Sequence, residues 1–149
     1  MLTGHFKTNS EGETARLAER LARGAGAGDV FCLSGAPGAG KTAFAKGFAA
    51  GLGVPGHVTS PTFTILNVYR GAVPLYHFDL YRINGVINGG AALYDTGFYD
   101  YLNADGVCLI EWPENAAGQI NCPVTLVTIA QTGHDDNMRT IDIAGLSGY

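Results

Sequence analysis

Gly35-Ala36-Pro37-Gly38-Ala39-Gly40-Lys41-Thr42 decides the fold of this 149-residue chain. The stretch fits G-x-x-x-x-G-K-[ST] at every position, and its flanks suit it. Val30-Phe31-Cys32-Leu33 before it is a continuous apolar run, the mark of a strand buried on both faces. After it, residues 42–52 carry Phe44, Phe48 and Leu52 at i, i+4 and i+8, one face of a helix that Gly53 and Pro55 end. A loop wrapped around a phosphate must point its N–H groups inward, and side chains would block that approach. Glycine at 35, 38 and 40 leaves the space and permits unusual φ values. The helix starting near Lys41 aims its free N–H groups and positive dipole end at the same anion. Lys41 adds a full charge for β- and γ-phosphates, and the Thr42 hydroxyl suits Mg²⁺, which prefers oxygen ligands. Pro37 has no N–H to give and stiffens the turn.

Upstream, Ser10-Glu11-Gly12-Glu13 has the S-x-x-E form of a capping box. Ala15, Leu17, Ala18, Leu21 and Ala22 follow at helical spacing, up to a stop near Gly24. Downstream, the composition predicts strands over 62–69, 73–79 and 107–110, and a final pair over 124–130 and 140–144. Residues 84–97 read as loop with one short helix near Ala91. The order implies a single α/β domain over 1–149 whose sheet has a parallel core and antiparallel strands at one side.

Only 15% of residues are charged and 46% are hydrophobic, so the chain buries a real core rather than staying disordered. No apolar run reaches the roughly 18–20 residues of a membrane span, and the N-terminus lacks the apolar region of a signal peptide. Three unpatterned cysteines, Cys32, Cys108 and Cys122, imply no disulfide framework. A reducing cytoplasm fits these features. The net charge of −4 argues against a protein that coats nucleic acid through its overall field. The charge is uneven, however. Residues 1–82 hold eight of the nine lysines and arginines against five acids, +3, while 83–149 hold one against eight, −7. A polyanion would meet the N-terminal half.

Phosphoryl chemistry also needs a carboxylate near the metal and a group to orient the attacking atom. Leu75-Tyr76-His77-Phe78-Asp79 and Val107-Cys108-Leu109-Ile110-Glu111 each end a predicted strand in an acid, and the pattern leaves open which is the metal-side residue. His77, alternating with aromatics, reads as a satisfied, half-buried histidine. Trp112 is either core or a shield beside Glu111. Asp135-Asp136 reads as a hairpin tip.

The phosphate loop, Val58-Thr59-Ser60-Pro61-Thr62-Phe63, His77-Phe78-Asp79-Leu80-Tyr81-Arg82 and Ile110-Glu111-Trp112-Pro113 occur in that order. Together they closely resemble the bacterial TsaE family (formerly YjeE), small P-loop ATPases of tRNA threonylcarbamoyladenosine biosynthesis. The likeness spans roughly residues 10–144. It implies a P-loop NTPase three-layer sandwich with a mixed, mainly parallel sheet and antiparallel C-terminal strands. It implies Mg²⁺-dependent ATP hydrolysis in concert with TsaB and TsaD. Slow turnover by the isolated chain is expected from the residues: Arg82 and Arg139 are the only arginines after Arg70, and neither is clearly poised as an arginine finger. In that family TsaD, not the ATPase, transfers the group to adenosine 37 of tRNAs reading ANN codons, and tRNA would meet this chain indirectly or weakly. Residue by residue, the resemblance assigns ATP binding to Gly35, Ala36, Pro37, Gly38, Ala39, Gly40, Lys41, Thr42 and Ala43, with Glu11 and Arg139 beside the nucleotide. It assigns Mg²⁺ to Thr42 and Glu111, and to Asp79 as the Walker-B aspartate. Lys41, Asp79, Glu111 and the switch residue Thr62 form the implied catalytic set.

The chain departs from the family pattern at Ala36-Pro37, where an acidic residue is common, and over 84–92, which lacks the usual Pro and Glu. Gly97-Phe98-Tyr99-Asp100-Tyr101-Leu102 matches the G-x-x-x-Y-L that follows. Two other readings share the phosphate loop. A small metabolite kinase usually closes an arginine-bearing lid, and residues 83–138 contain no arginine. A nucleotide-gated binding module would need no turnover.

Overall fold

The computed structural model describes residues 2–56, 58–59, 64–83, 93–102 and 104–149. Its seven-stranded sheet comprises β1 (Gly4–Thr8), β2 (Val30–Ser34), β3 (Leu66–Tyr69), β4 (Leu75–Asp79), β5 (Val107–Glu111), β6 (Val124–Gln131) and β7 (Arg139–Leu146). The spatial order is β1-β7-β6-β2-β5-β4-β3. Strands β6, β2, β5 and β4 run parallel to their neighbours in that core. Antiparallel strands flank it on both sides, β7 and β1 at one edge and β3 at the other. The expectation of antiparallel strands at one side is thus corrected. β6 is parallel to β2 and antiparallel only to β7, because the tight turn after β6 reverses the chain.

The central strands are buried at nearly every position, as their continuous apolar runs require. Helices α1 (Glu11–Arg23) and α2 (Lys41–Gly51) cover one face through Leu17, Leu21, Phe44 and Phe48. Phe98 of α3 (Phe98–Leu102), with Leu80, Ala116 and Ile120, covers the other. The result is three layers. Ser10 caps α1 by accepting from the Glu13 N–H at 3.1 Å, and Glu13 reaches back to the Asn9 N–H at 3.0 Å. The capping box therefore holds, with its return bond one residue early.

Two elements differ from expectation. β1 went unread because only Phe6 and Thr8 face inward on an otherwise polar edge. β3 starts at Leu66 rather than at 62, since Ile65 lies at φ 67°, a left-handed conformation that a β-branched residue cannot carry into a strand. Thr62 and Phe63 lie outside the described residues, as does Ala91; residues 93–95, just after it, are helical where one short helix is expected.

The helix pair that carries the phosphate loop is set by two glycines. A Cβ on Gly47 would lie 2.1 Å from the Ala15 carbonyl oxygen, and one on Gly51 would lie 2.4 Å from that of Glu19. Both obstacles are backbone, so α1 and α2 would have to part. Alanine gains about 1 kcal/mol over glycine in a helix interior. Overpacking costs roughly 1–3 kcal/mol, occasionally more. Gly47→Ala is therefore expected to lower the urea midpoint. Gly26→Ala, with nothing within 4 Å of the added methyl, is the control. An unchanged midpoint for Gly47→Ala would mean that the helices are not so close.

Candidate functional site

The C-terminal ends of β2, β4 and β5 open on one side of the sheet, where ligands bind in open α/β folds. A cleft of about 570 Å³ lies there, lined by Pro37, Gly38, Gly40, Lys41, Thr42 and Ala43 of the loop and by Asp79 and Glu111 of the strands. Glu11 and Thr14 from the first turn of α1, Asp136 and Asn137 from the β6–β7 turn, and Arg139 at the start of β7 close its rim.

The loop glycines have distinct reasons. Gly38 and Gly40 sit at φ 78° and 107°, where a side chain is strained. A Cβ at Gly35 would meet the Ile129 carbonyl oxygen at 2.7 Å. Ala39 is buried under the loop, and Gly35, Ala36 and Ala39 do not line the cleft.

Asp79 and Glu111 are directly paired across β4 and β5, and each is 5% exposed. Asp79 Oδ1 accepts from the Tyr81 N–H at 2.9 Å. Glu111 Oε2 lies 2.6 Å from Nε2 of His77, which is 1% exposed. His77 is thus fully buried, and its Nδ1 has no partner among the described residues. This corrects the expectation of a satisfied, half-buried ring.

Lys41 is buried, and burial pushes its ammonium below the ordinary 10.5. Glu111, Asp79 and Glu114 pull it back up, as carboxylates close to a cation must. Its Nζ sits 4.0 Å from the centroid of the Trp112 ring, which in turn packs on Tyr81 at 4.9 Å. Trp112 therefore belongs to the site wall as well as to the far core cluster. Its backbone at φ 56° turns the chain sharply after β5 and swings the indole over the lysine.

Arg139 is committed to backbone oxygens. Its Nε donates to the Ala39 carbonyl at 2.7 Å and its Nη2 to that of Gly38 at 3.3 Å, while Nη1 donates to Met138 and Asp136. It fastens the phosphate loop to the β6–β7 turn. Of the residues marked in the sequence, the cleft collects Glu11, Pro37, Gly38, Gly40, Lys41, Thr42, Ala43, Asp79, Glu111 and Arg139. Thr62 lies outside the described residues. Thr14, Tyr81, Asp136 and Asn137 were missed. Thr14 follows Glu11 by one turn of an N-terminal helix, the one signal that could have found it.

Among the described residues, no three His, Cys, Asp or Glu side chains converge to hold a metal by themselves. The oxygen donors Thr42, Asp79 and Glu111 nevertheless suit Mg²⁺, which takes few protein ligands and completes its shell from phosphate and water. The three cysteines are free; burial pushes the Cys32 and Cys108 thiols up to about 12. Among the described residues, no helix is long and apolar enough to cross a membrane.

A phosphate loop between a buried parallel strand and a helix, with acids at the neighbouring strand ends, defines a P-loop nucleotide-binding protein. Comparison with known proteins narrows the class. The family model for the threonylcarbamoyl adenosine biosynthesis protein TsaE matches residues 8–141, and the chain belongs to that family. The tRNA threonylcarbamoyladenosine biosynthesis protein TsaE of Bacillus subtilis is 39% identical over 141 residues, 94% of this chain and 85% of that protein. Its counterpart from Treponema pallidum is 40% identical over 137 residues, 92% and 97% of the two chains. The crystal structure of Bacillus subtilis YdiB superimposes with a TM-score of 0.78 at 35% identity, covering 99% of this chain and 89% of that one.

Proposed function

We propose that this chain is the ATP-hydrolysing subunit of tRNA threonylcarbamoyladenosine biosynthesis, the process named for its relatives. One observation carries the chemistry: a single cleft holds Lys41 and Thr42 of the phosphate loop opposite the paired acids Asp79 and Glu111. The loop N–H groups and Lys41 grip the triphosphate and balance its charge. Thr42, Glu111 and Asp79 would provide the oxygen atoms for Mg²⁺, which when bound would supply charge neutralisation to the phosphates. Glu111 would orient the attacking water, and Asp79 would order a water beside the metal. Thr62 is the proposed γ-phosphate sensor.

An arginine aimed at the transferred phosphoryl group adds about 10³–10⁵ in rate. Arg139 has its donors on loop carbonyls, so it supplies no such group in this arrangement. Slow turnover by the isolated chain follows, with TsaB and TsaD as the partners that complete the cycle in the cytoplasm. The threonylcarbamoyl transfer to tRNA occurs on TsaD, and tRNA contact with this chain is indirect.

Reconstitution tests the reading. TsaB, TsaD, tRNA and the activated threonylcarbamoyl donor are followed over several turnovers with and without this chain. Modification is expected to stall near one equivalent without it and to continue with it, with ATP consumed. Multiple turnover independent of the chain, or rapid hydrolysis by the chain alone that the partners do not change, contradicts the proposal.

A further inference from the structure

β4 is buried at all five positions, and histidine is an unusual occupant of such a strand. Strand alternation puts His77 on the same face as Leu75 and Asp79, the face covered by α1 and α2. Across the pair, His77 opposes Leu109 and Asp79 opposes Glu111. Glu111 is therefore the diagonal neighbour of His77 on that face, within reach of a long side chain. The reach is used: Nε2 and Oε2 stand 2.6 Å apart, with the two side chains 1% and 6% exposed. The other ring nitrogen finds no partner among the described residues. A leucine would fill the same space without burying an unmatched polar atom, so packing does not explain the imidazole.

Glu111 has two surroundings. It lines the large cleft, and it also lines a narrow crevice beneath, together with Thr42, Ala45, Val58, Thr59 and His77. The ring holds the carboxylate from the crevice side. An ionised carboxylate oxygen only accepts, so a hydrogen bond between these atoms requires the proton on Nε2. We infer that His77 is a positioning residue, whose Nε2–H donation to Oε2 fixes the rotation of the Glu111 carboxylate and presents its other oxygen to the nucleotide cleft. The inference rests on the reading that Glu111 acts in ATP hydrolysis. Imidazole and carboxylate orient each other in this way at other reacting centres, and small misplacements of a catalytic group are costly in rate.

Two variants separate positioning from packing. His77→Leu keeps the volume and removes the donor. His77→Gln carries an amide N–H near the site of Nε2. Nucleotide affinity should stay within about threefold of wild type in both. The leucine variant should lose about 10–100-fold in kcat at unchanged KM, the usual loss when an orienting partner is removed. The glutamine variant should recover most of it. A second readout needs no turnover: nitrogen-15 NMR of the nucleotide-free protein should show Nε2 of His77 protonated. Wild-type kcat in His77→Leu, an equal fall in both variants together with lost nucleotide affinity, or an unprotonated Nε2 overturns the inference. If the leucine variant does not fold, the ring signal decides. Wild-type hydrolysis by Glu111→Gln would instead defeat the underlying reading of Glu111. An inactive Glu111→Gln beside a fully active His77→Leu defeats only the role of His77.

Discussion

Lys41→Met will cost the protein most of its hold on nucleotide while leaving it folded. Among the described residues, the cleft is lined by four acids, Glu11, Asp79, Glu111 and Asp136, against two cations, Lys41 and Arg139. Arg139 already donates to the carbonyls of Ala39, Gly38, Met138 and Asp136. A triphosphate entering this acidic surround has the Lys41 ammonium as its main full positive charge. In the nucleotide-free protein that ammonium rests over Trp112 and near the carboxylates, so it is desolvated and its field is little weakened by water. Methionine keeps the stem and its packing, which alanine would remove. A hydrogen bond to a charged group is worth about 1.5–3 kcal/mol, or roughly 10–150-fold in affinity. Removal of a preorganised electrostatic partner takes a further 10²–10³ or so from kcat. Calorimetric titration with a non-hydrolysable ATP analogue, beside a thermal melt, measures both. Wild-type affinity in a folded Lys41→Met protein would place the phosphates somewhere other than this loop. Trp112, the one tryptophan of the chain, gives an internal check, because its fluorescence should change when phosphate draws the ammonium off the ring.

Much of this site was legible because its physics is local. The phosphate loop needs glycine where φ is positive or a carbonyl is near, and those needs are written at 35, 38 and 40. The two acids were legible because a buried strand that ends in a carboxylate is conspicuous among Val107-Cys108-Leu109-Ile110. Their pairing was not, since register across β4 and β5 is a long-range fact. The same holds for His77. Its neighbours in sequence, Tyr76 and Phe78, point to the opposite face, and its real partner is 34 residues away. The β6–β7 turn reads as a polar hairpin tip in isolation; only the sheet order brings Asp136, Asn137 and Arg139 onto the loop. β1 was hidden because an edge strand needs few apolar residues, and its pairing with β7 does the rest.

Glu111→Gln should separate binding from hydrolysis. The amide has nearly the volume of the carboxylate and retains an oxygen that can accept from the His77 Nε2–H, so the buried contact survives. What disappears is a negative charge at a position 5% exposed, one of the three acids acting on Lys41 with Asp79 and Glu114. ATP affinity should hold or rise a little, because one carboxylate no longer repels the phosphates. Hydrolysis should fall about 10²–10⁴-fold, the range for a positioned group that handles the proton of the nucleophile. Asp79→Asn provides the contrast. Asp79 also receives the Tyr81 N–H on Oδ1, and asparagine can preserve that bond. Its loss should weaken metal dependence more than the proton step, so added Mg²⁺ should recover part of the rate in Asp79→Asn and little in Glu111→Gln. Single-turnover hydrolysis across a Mg²⁺ series distinguishes the two. If magnesium rescues the glutamine variant and not the asparagine one, the roles of the paired acids are exchanged: Asp79 orients the water, and Glu111 serves the metal.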